Sequence, residues 1–81
     1  MRFTKANIGG LKLPGGKSDF VHFDSALPGF GLRIRSSGKR TWVIHKRTKE
    51  GVLKRTIGDA SLFGLDEARN EARKVLGKAQ K

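Results

Sequence analysis

The chain has 81 residues and carries 18 Lys and Arg against 7 Asp and Glu, a formal charge of +11. That length allows one domain with a thin core, and with no cysteine the core has neither disulfides nor thiolate metal sites to reinforce it, as fits a reducing, cytoplasmic setting. No apolar run approaches the roughly 20 residues of a membrane span, Met1 to Gly10 lack the apolar middle of a secretion signal, and self-repulsion at this charge calls for a polyanionic partner.

The first element expected is one helical turn in Thr4 to Leu11, capped by Thr4, with Ile8 and Leu11 turned inward and Pro14-Gly15-Gly16 as its stop. Asp19 to Phe23 reads as a short strand, with Phe20 and His22 on one side and Val21 and Phe23 on the other. Asp24 begins a turn that runs through Pro28-Gly29. Gly31 then leads into Leu32-Arg33-Ile34-Arg35, where period two sends Leu32 and Ile34 to the core and Arg33 and Arg35 outside.

Ser36-Ser37-Gly38 is a compact turn, so the strand Lys39 to Arg47 runs antiparallel to the last. Trp42 and Ile44 share the face assigned to the core because they are the larger apolar side chains; Thr41, Val43, His45 and Arg47 share the other. After a turn over Thr48 to Gly51, Val52 to Gly58 forms a third strand with Leu53 and Ile57 inward and Lys54 and Thr56 outward. Arg55 breaks that parity unless it snorkels at an edge.

From Leu65 the period becomes helical, with Leu65, Ala68, Ala72, Val75 and Leu76 on one stripe. Asp66 and Glu67 in the first turn, with Arg73, Lys74 and Lys78 near the end, suit the helix dipole. The expected fold is α+β: a three-stranded antiparallel sheet packed on one face by a C-terminal helix, with the other face open. Gly77 to Lys81 end the chain on a polar stretch, the expectation for a fragment of a longer protein.

Residues 1 to 58 hold 13 bases and 3 acids, and residues 59 to 81 hold 5 and 4, so the charge belongs to the sheet. The open face collects Arg33, Arg35, Thr41, Val43, His45, Arg47, Lys54 and Thr56, with Lys39, Arg40 and Lys46 near its rim and essentially no acids. Arginine and lysine donate to guanine edges or phosphates, threonine and valine methyls meet the thymine methyl, and strands enter the major groove. A lipid-binding face needs large apolar groups instead. Solvated faces mix acids with bases, so one-sided charge favours double-stranded DNA over a merely hydrated surface.

Other chemistry finds little support. Trp42 belongs to the core more readily than to a stacking platform. His22 and His45 lack a ligand set, so no metal is expected. Gly29-Phe30-Gly31 precedes a strand where a phosphate loop needs a helix. Asp66 and Glu67 are helix-start charges, and no serine stands beside a histidine and an acid. No cofactor, catalysis, membrane or small-molecule substrate is expected.

The ordered segments Pro28-Gly29-Phe30-Gly31-Leu32-Arg33-Ile34, Ser37-Gly38-Lys39-Arg40-Thr41-Trp42-Val43-Ile44, Thr56-Ile57-Gly58 and Leu65-Asp66-Glu67-Ala68-Arg69, preceded by Asp24, resemble the N-terminal arm-type DNA-binding domain of phage and genomic-island integrases, which are tyrosine recombinases. The likeness runs from about Thr4 to the C-terminal helix. It implies a sheet face placed in the major groove of arm-type sites, positioning an integrase whose cutting and rejoining belong to a separate domain, with other integrase protomers as partners of the full-length protein. It carries DNA contact over to Arg33, Arg35, Thr41, His45, Arg47, Lys54 and Thr56. Departures are Lys46 in place of a frequent aromatic, Gly64 in place of a Ser or Thr cap, and a loop Asp59 to Phe63 without the usual tyrosine-proline. The alternative is a small RNA-binding or ribosome-associated domain, for which the outer face lacks exposed aromatics.

Overall fold

The computed structural model describes residues 2–79, with side chains as far as residue 77. The N-terminal turn forms as its residues dictate. Thr4 is extended at φ −131°, its hydroxyl accepts the Asn7 amide at 3.1 Å, and Asn7 Oδ1 accepts the Thr4 amide at 2.9 Å. This reciprocal cap starts α1 (Lys5–Ile8), after which Leu11 is buried and Ile8 half-buried against the core.

Four strands follow: β1 (Asp19–Phe23), β2 (Phe30–Arg35), β3 (Arg40–Thr48) and β4 (Gly51–Asp59). They form one antiparallel sheet in the order β1-β2-β3-β4. The sheet is therefore four-stranded, not three-stranded. The extra strand is the Asp19–Phe23 segment, whose alternation sets its parity but says nothing about its neighbour. What attaches it to β2, with Phe20 opposite Ile34 and Phe23 opposite Gly31, is the loop between them. There the Asp24 amide donates to the Phe30 carbonyl at 2.9 Å and the Asp24 carboxylate accepts the Ala26 amide at 2.9 Å.

The tight turn after β2 uses Gly38 at φ +90°, a left-handed conformation that glycine adopts without strain. Between β3 and β4 the register shifts at Trp42/Val43: Thr56 faces Val43 while Gly58 faces Trp42, leaving Ile57 unmatched. The bulge changes parity along β4. It puts Gly58 on the core side, where the ring of Phe63 lies so close that a Cβ would overlap it. Before the bulge, Arg55 sits opposite Ile44 on the core side of the edge strand and is exposed, as expected of a snorkelling side chain.

α2 (Leu65–Ala79) starts where the period changes, the Gly64 carbonyl accepting the Ala68 amide at 3.0 Å. It packs on β3 and β4. Leu65, Ala68, Ala72 and Leu76 join Phe30, Leu32, Ile34, Trp42 and Ile44 in one cluster, together with Phe3 from the N-terminal segment. Phe30 stacks on Trp42 with centroids 5.3 Å apart, Phe3 meets Phe30 edge-on at 6.0 Å, and Trp42 Nε1 donates to the Phe63 carbonyl at 2.8 Å. Truncating such a ring costs about 3–5 kcal/mol. Val75 is half-buried, completing the expected stripe. The side chain of Lys78 and residues 80 and 81 of the polar ending lie outside the described residues.

Candidate nucleic-acid interface

Because paired residues in an antiparallel sheet point to the same side, the register orders the outer face into rows. From one end these are Asp19–Arg35, Val21–Arg33–Thr41–Asp59, Phe23–Gly31–Val43–Thr56, His45–Lys54 and Arg47–Val52. α2 and the N-terminal segment both belong to the core cluster on the opposite side, so no packed layer covers this face among the described residues. Val43 is buried yet stands apart from that cluster, sealed on the outer side between Gly31 and Thr56.

The register brings most of the anticipated contact residues together. Arg35, Arg47, Lys54 and Thr56 are exposed, while Arg33, Thr41 and His45 are half-buried. Lys39 is exposed in the β2–β3 turn at the rim. β2 begins at Phe30, which pairs with Ile44; just outside it the Gly29 carbonyl accepts the His45 amide at 2.8 Å, and from Lys46 onward the β3–β4 hairpin has no strand beside it on the β2 side. The hairpin carries His45, Arg47 and Lys54 on its outer side, with Arg47 on the part that runs on as a two-stranded ribbon. A ribbon of that width fits the major groove, roughly 12 Å across.

Arg40 does not join them. It pairs with Ile34 on the core side, and its guanidinium donates to the Ile8 carbonyl at 2.8 Å and to the Leu11 carbonyl. The rim position inferred for it is corrected by parity: Arg40 lies two residues before Trp42 and so shares its face. There it closes the end of α1 and fastens the N-terminal segment to the sheet. Lys46 likewise has core-side parity, opposite Leu53, and its stem lies against Gly29.

Two further expectations change once β1 is added to the sheet. The face is not free of acids, because Asp19 stands on it and meets Arg33: Nε donates to Oδ1 at 2.8 Å and Oδ2 at 2.9 Å, and Nη2 also reaches Oδ2. Hydrogen bonding from Arg33 holds the Asp19 carboxyl below its ordinary value, and the same contact raises Arg33. Nor is the face without aromatics. Phe23 is 47% exposed there, its ring 6.2 Å from that of His45. It lies beside Gly31, where an added Cβ would come within 2.7 Å of Val21 Cγ1 and 2.8 Å of the His22 carbonyl. The alternation of Val21 and Phe23 was a legible signal for this patch, but only the pairing with β2 shows which surface it joins.

At the opposite edge of the Arg33 row, Asp59 pairs with Thr41 and is already engaged. The Ser61 amide and hydroxyl donate to its carboxylate at 2.8 and 2.7 Å, and these bonds, with Lys39 adding a smaller pull, keep its carboxyl below the usual range.

The two histidines are not brought together. His22 has core-side parity opposite Leu32 and its Nε2 lies 2.8 Å from the Lys12 carbonyl, whereas His45 is on the outer face. Among the described residues no group of three His, Cys, Asp or Glu is placed to hold a metal ion, and no helix is long and apolar enough to cross a membrane.

A family model described as an Arm DNA-binding domain matches residues 3–81. Neither a curated protein nor a solved structure matches the chain significantly.

Proposed function

We propose, from the premise that this chain belongs to the Arm DNA-binding domain family, that it binds double-stranded DNA through the outer face of its sheet. The observation that carries this reading is the uncovered plate on which Arg35, Thr41, His45, Arg47, Lys54 and Thr56 converge, with the β3–β4 ribbon projecting beyond β2. Unpaired cations on that ribbon supply phosphate contacts, which orient the domain without reading sequence. Threonine hydroxyls and methyls beside them supply groups that distinguish base edges in the groove.

In its finer form the proposal is that the duplex is an arm-type site and that the domain positions an integrase of the tyrosine recombinase class, with cleavage carried by another part of the parent protein and further protomers assembled through it. The match to a DNA-binding domain family is what supports a positioning role for this segment. The test is fluorescence anisotropy with duplexes selected from a random-sequence pool by the unaltered chain. Selection of a shared sequence, bound with an affinity that falls as salt rises, supports the reading; binding that is equal for all duplexes, or absent, removes it.

Phe23 favours a second reading, since an exposed ring on a basic sheet is a stacking surface for an unpaired base of RNA. Competition between the selected duplex and RNA of the same sequence separates the two.

A further inference from the structure

Arg33 differs from the other bases of the outer face in having an acid of its own. Among the described ion pairs Arg35, Arg47 and Lys54 have no carboxylate partner, whereas Arg33 and Asp19 lock across β1 and β2, each side chain 36% exposed. A guanidinium has five N–H donors in a fixed planar fork. Asp19 occupies the edge formed by Nε and Nη2. The edge formed by Nη1 and the second Nη2 hydrogen meets no protein acceptor among the described residues, and it presents two parallel donors.

Such an edge is a poor phosphate clamp in this setting. The pair is neutral as a whole, so it adds little to long-range attraction for the backbone, and a phosphate brought to Arg33 would also approach the Asp19 carboxylate. A guanine presents two neutral acceptors, O6 and N7, at the spacing of a guanidinium edge. A carboxylate that holds the guanidinium plane removes much of the rotamer entropy an arginine otherwise loses on making a bidentate contact.

Resting on the duplex-DNA reading above, we propose that Arg33 recognises one guanine through its Nη1–Nη2 edge and that Asp19 is the positioning residue that holds it for that contact. The row Val21–Arg33–Thr41 sets this contact within the uncovered face. The unpaired cations Arg35, Arg47 and Lys54 are left to the phosphates.

The test uses the duplex selected from the random pool and a series in which each guanine in turn is replaced by 7-deazaguanine, which keeps base pairing and removes the N7 acceptor. For the unaltered chain one position loses several-fold in affinity, part of the roughly five- to 150-fold that a whole bidentate base contact is worth, because O6 is kept. In Arg33→Ala and in Asp19→Asn the penalty at that same position disappears, while the dependence of affinity on salt keeps its slope. Arg47→Ala is the contrast: it keeps the penalty and lowers the slope. Circular dichroism melts report whether each variant folds, and Arg33→Lys, which keeps the charge but loses the fork, gives the same loss of the guanine penalty if fold is retained. The proposal is overturned if Asp19→Asn tightens binding to every duplex alike with the guanine penalty intact, since Asp19 then acts only as a repulsive charge. It is overturned too if no single guanine couples to Arg33. Absence of any duplex binding removes both this proposal and the function it rests on, so the two failures are distinguishable.

Discussion

Arg69 reaches from α2 to the carboxylate of Asp24, 2.9 Å away, although 45 residues separate them in sequence. Asp24 is fully enclosed. Its carboxylate also accepts the amides of Phe3 at 3.1 Å and Ala26 at 2.9 Å, and the same arginine donates to the Phe3 carbonyl. One buried acid thus ties the N-terminal segment, the β1–β2 loop and the C-terminal helix into a single unit on the side of the sheet away from the proposed DNA surface.

Removing one partner leaves the other charge buried and alone, which costs about 3–5 kcal/mol. Arg69→Ala is therefore expected to lower the free energy of unfolding by about that much in urea titration. The loss is a large share of the stability that a domain of this size has, so the measurement is best made at low temperature.

Acid titration offers a second view of the same carboxylate. Burial pushes the Asp24 carboxyl up, but the Ala26 and Phe3 amides and the Arg69 guanidinium together outweigh it and hold the group below its ordinary value. A carboxyl depressed in the folded state contributes stability that is complete above the unfolded value, about pH 4, and is lost as pH falls through the folded value. Asp19 and Asp59 act in the same direction. Urea midpoints are expected to hold steady down to about pH 4 and to fall below it, with a shallower fall in Asp24→Asn.

Arg40 and Arg47 are expected to separate cleanly. Arg40→Ala takes the guanidinium from the Ile8 and Leu11 carbonyls, of which Ile8 keeps the Leu11 amide at 3.3 Å, and is predicted to lower stability by about 1–3 kcal/mol, with the salt dependence of DNA binding unchanged. Arg47→Ala is predicted to leave the melting temperature in place and to reduce the slope of log affinity against log salt by about 1, the signature of one lost phosphate contact. Lys54→Ala is expected to behave like Arg47→Ala, and a shift in stability with no change in slope would place Arg47 or Lys54 off the interface.

Gly58 is predicted to be intolerant of any side chain. Gly58→Ala drives a methyl group into the Phe63 ring, and overpacking of this kind costs about 1–3 kcal/mol. Because the clash is with the ring of one residue, the destabilisation is expected to shrink when Phe63→Leu is made in the same chain. A double-mutant cycle in urea measures that coupling.

The strands from Phe30 to Gly58 were legible because alternation is a local property. A residue two positions from Trp42 along β3 must share its face, so the parity that puts Arg47 outside also puts Arg40 inside. Leu65, Ala68, Ala72 and Leu76 were legible as a helical stripe for the same reason, and the cap at Thr4 because its partner Asn7 is three residues away. Phe3 was not, since a single aromatic in an irregular segment has no period to reveal where it packs, and it is nonetheless among the most deeply buried residues.

What the amino-acid sequence determined alone is which side chains alternate, where the period changes from two to near 3.6, and which sign of charge the sheet carries. Those follow from backbone geometry within a few residues. The tertiary structure decided that β1 lies beside β2, which brought Asp19 to Arg33 and Phe23 to the outer face and ended the expectation of a surface free of acids. It also decided that Arg40 anchors the N-terminus and that Asp24 meets Arg69. Such relationships depend on pairings between distant segments, which are set by the summed packing of the whole core and leave no mark in the spacing of neighbouring residues.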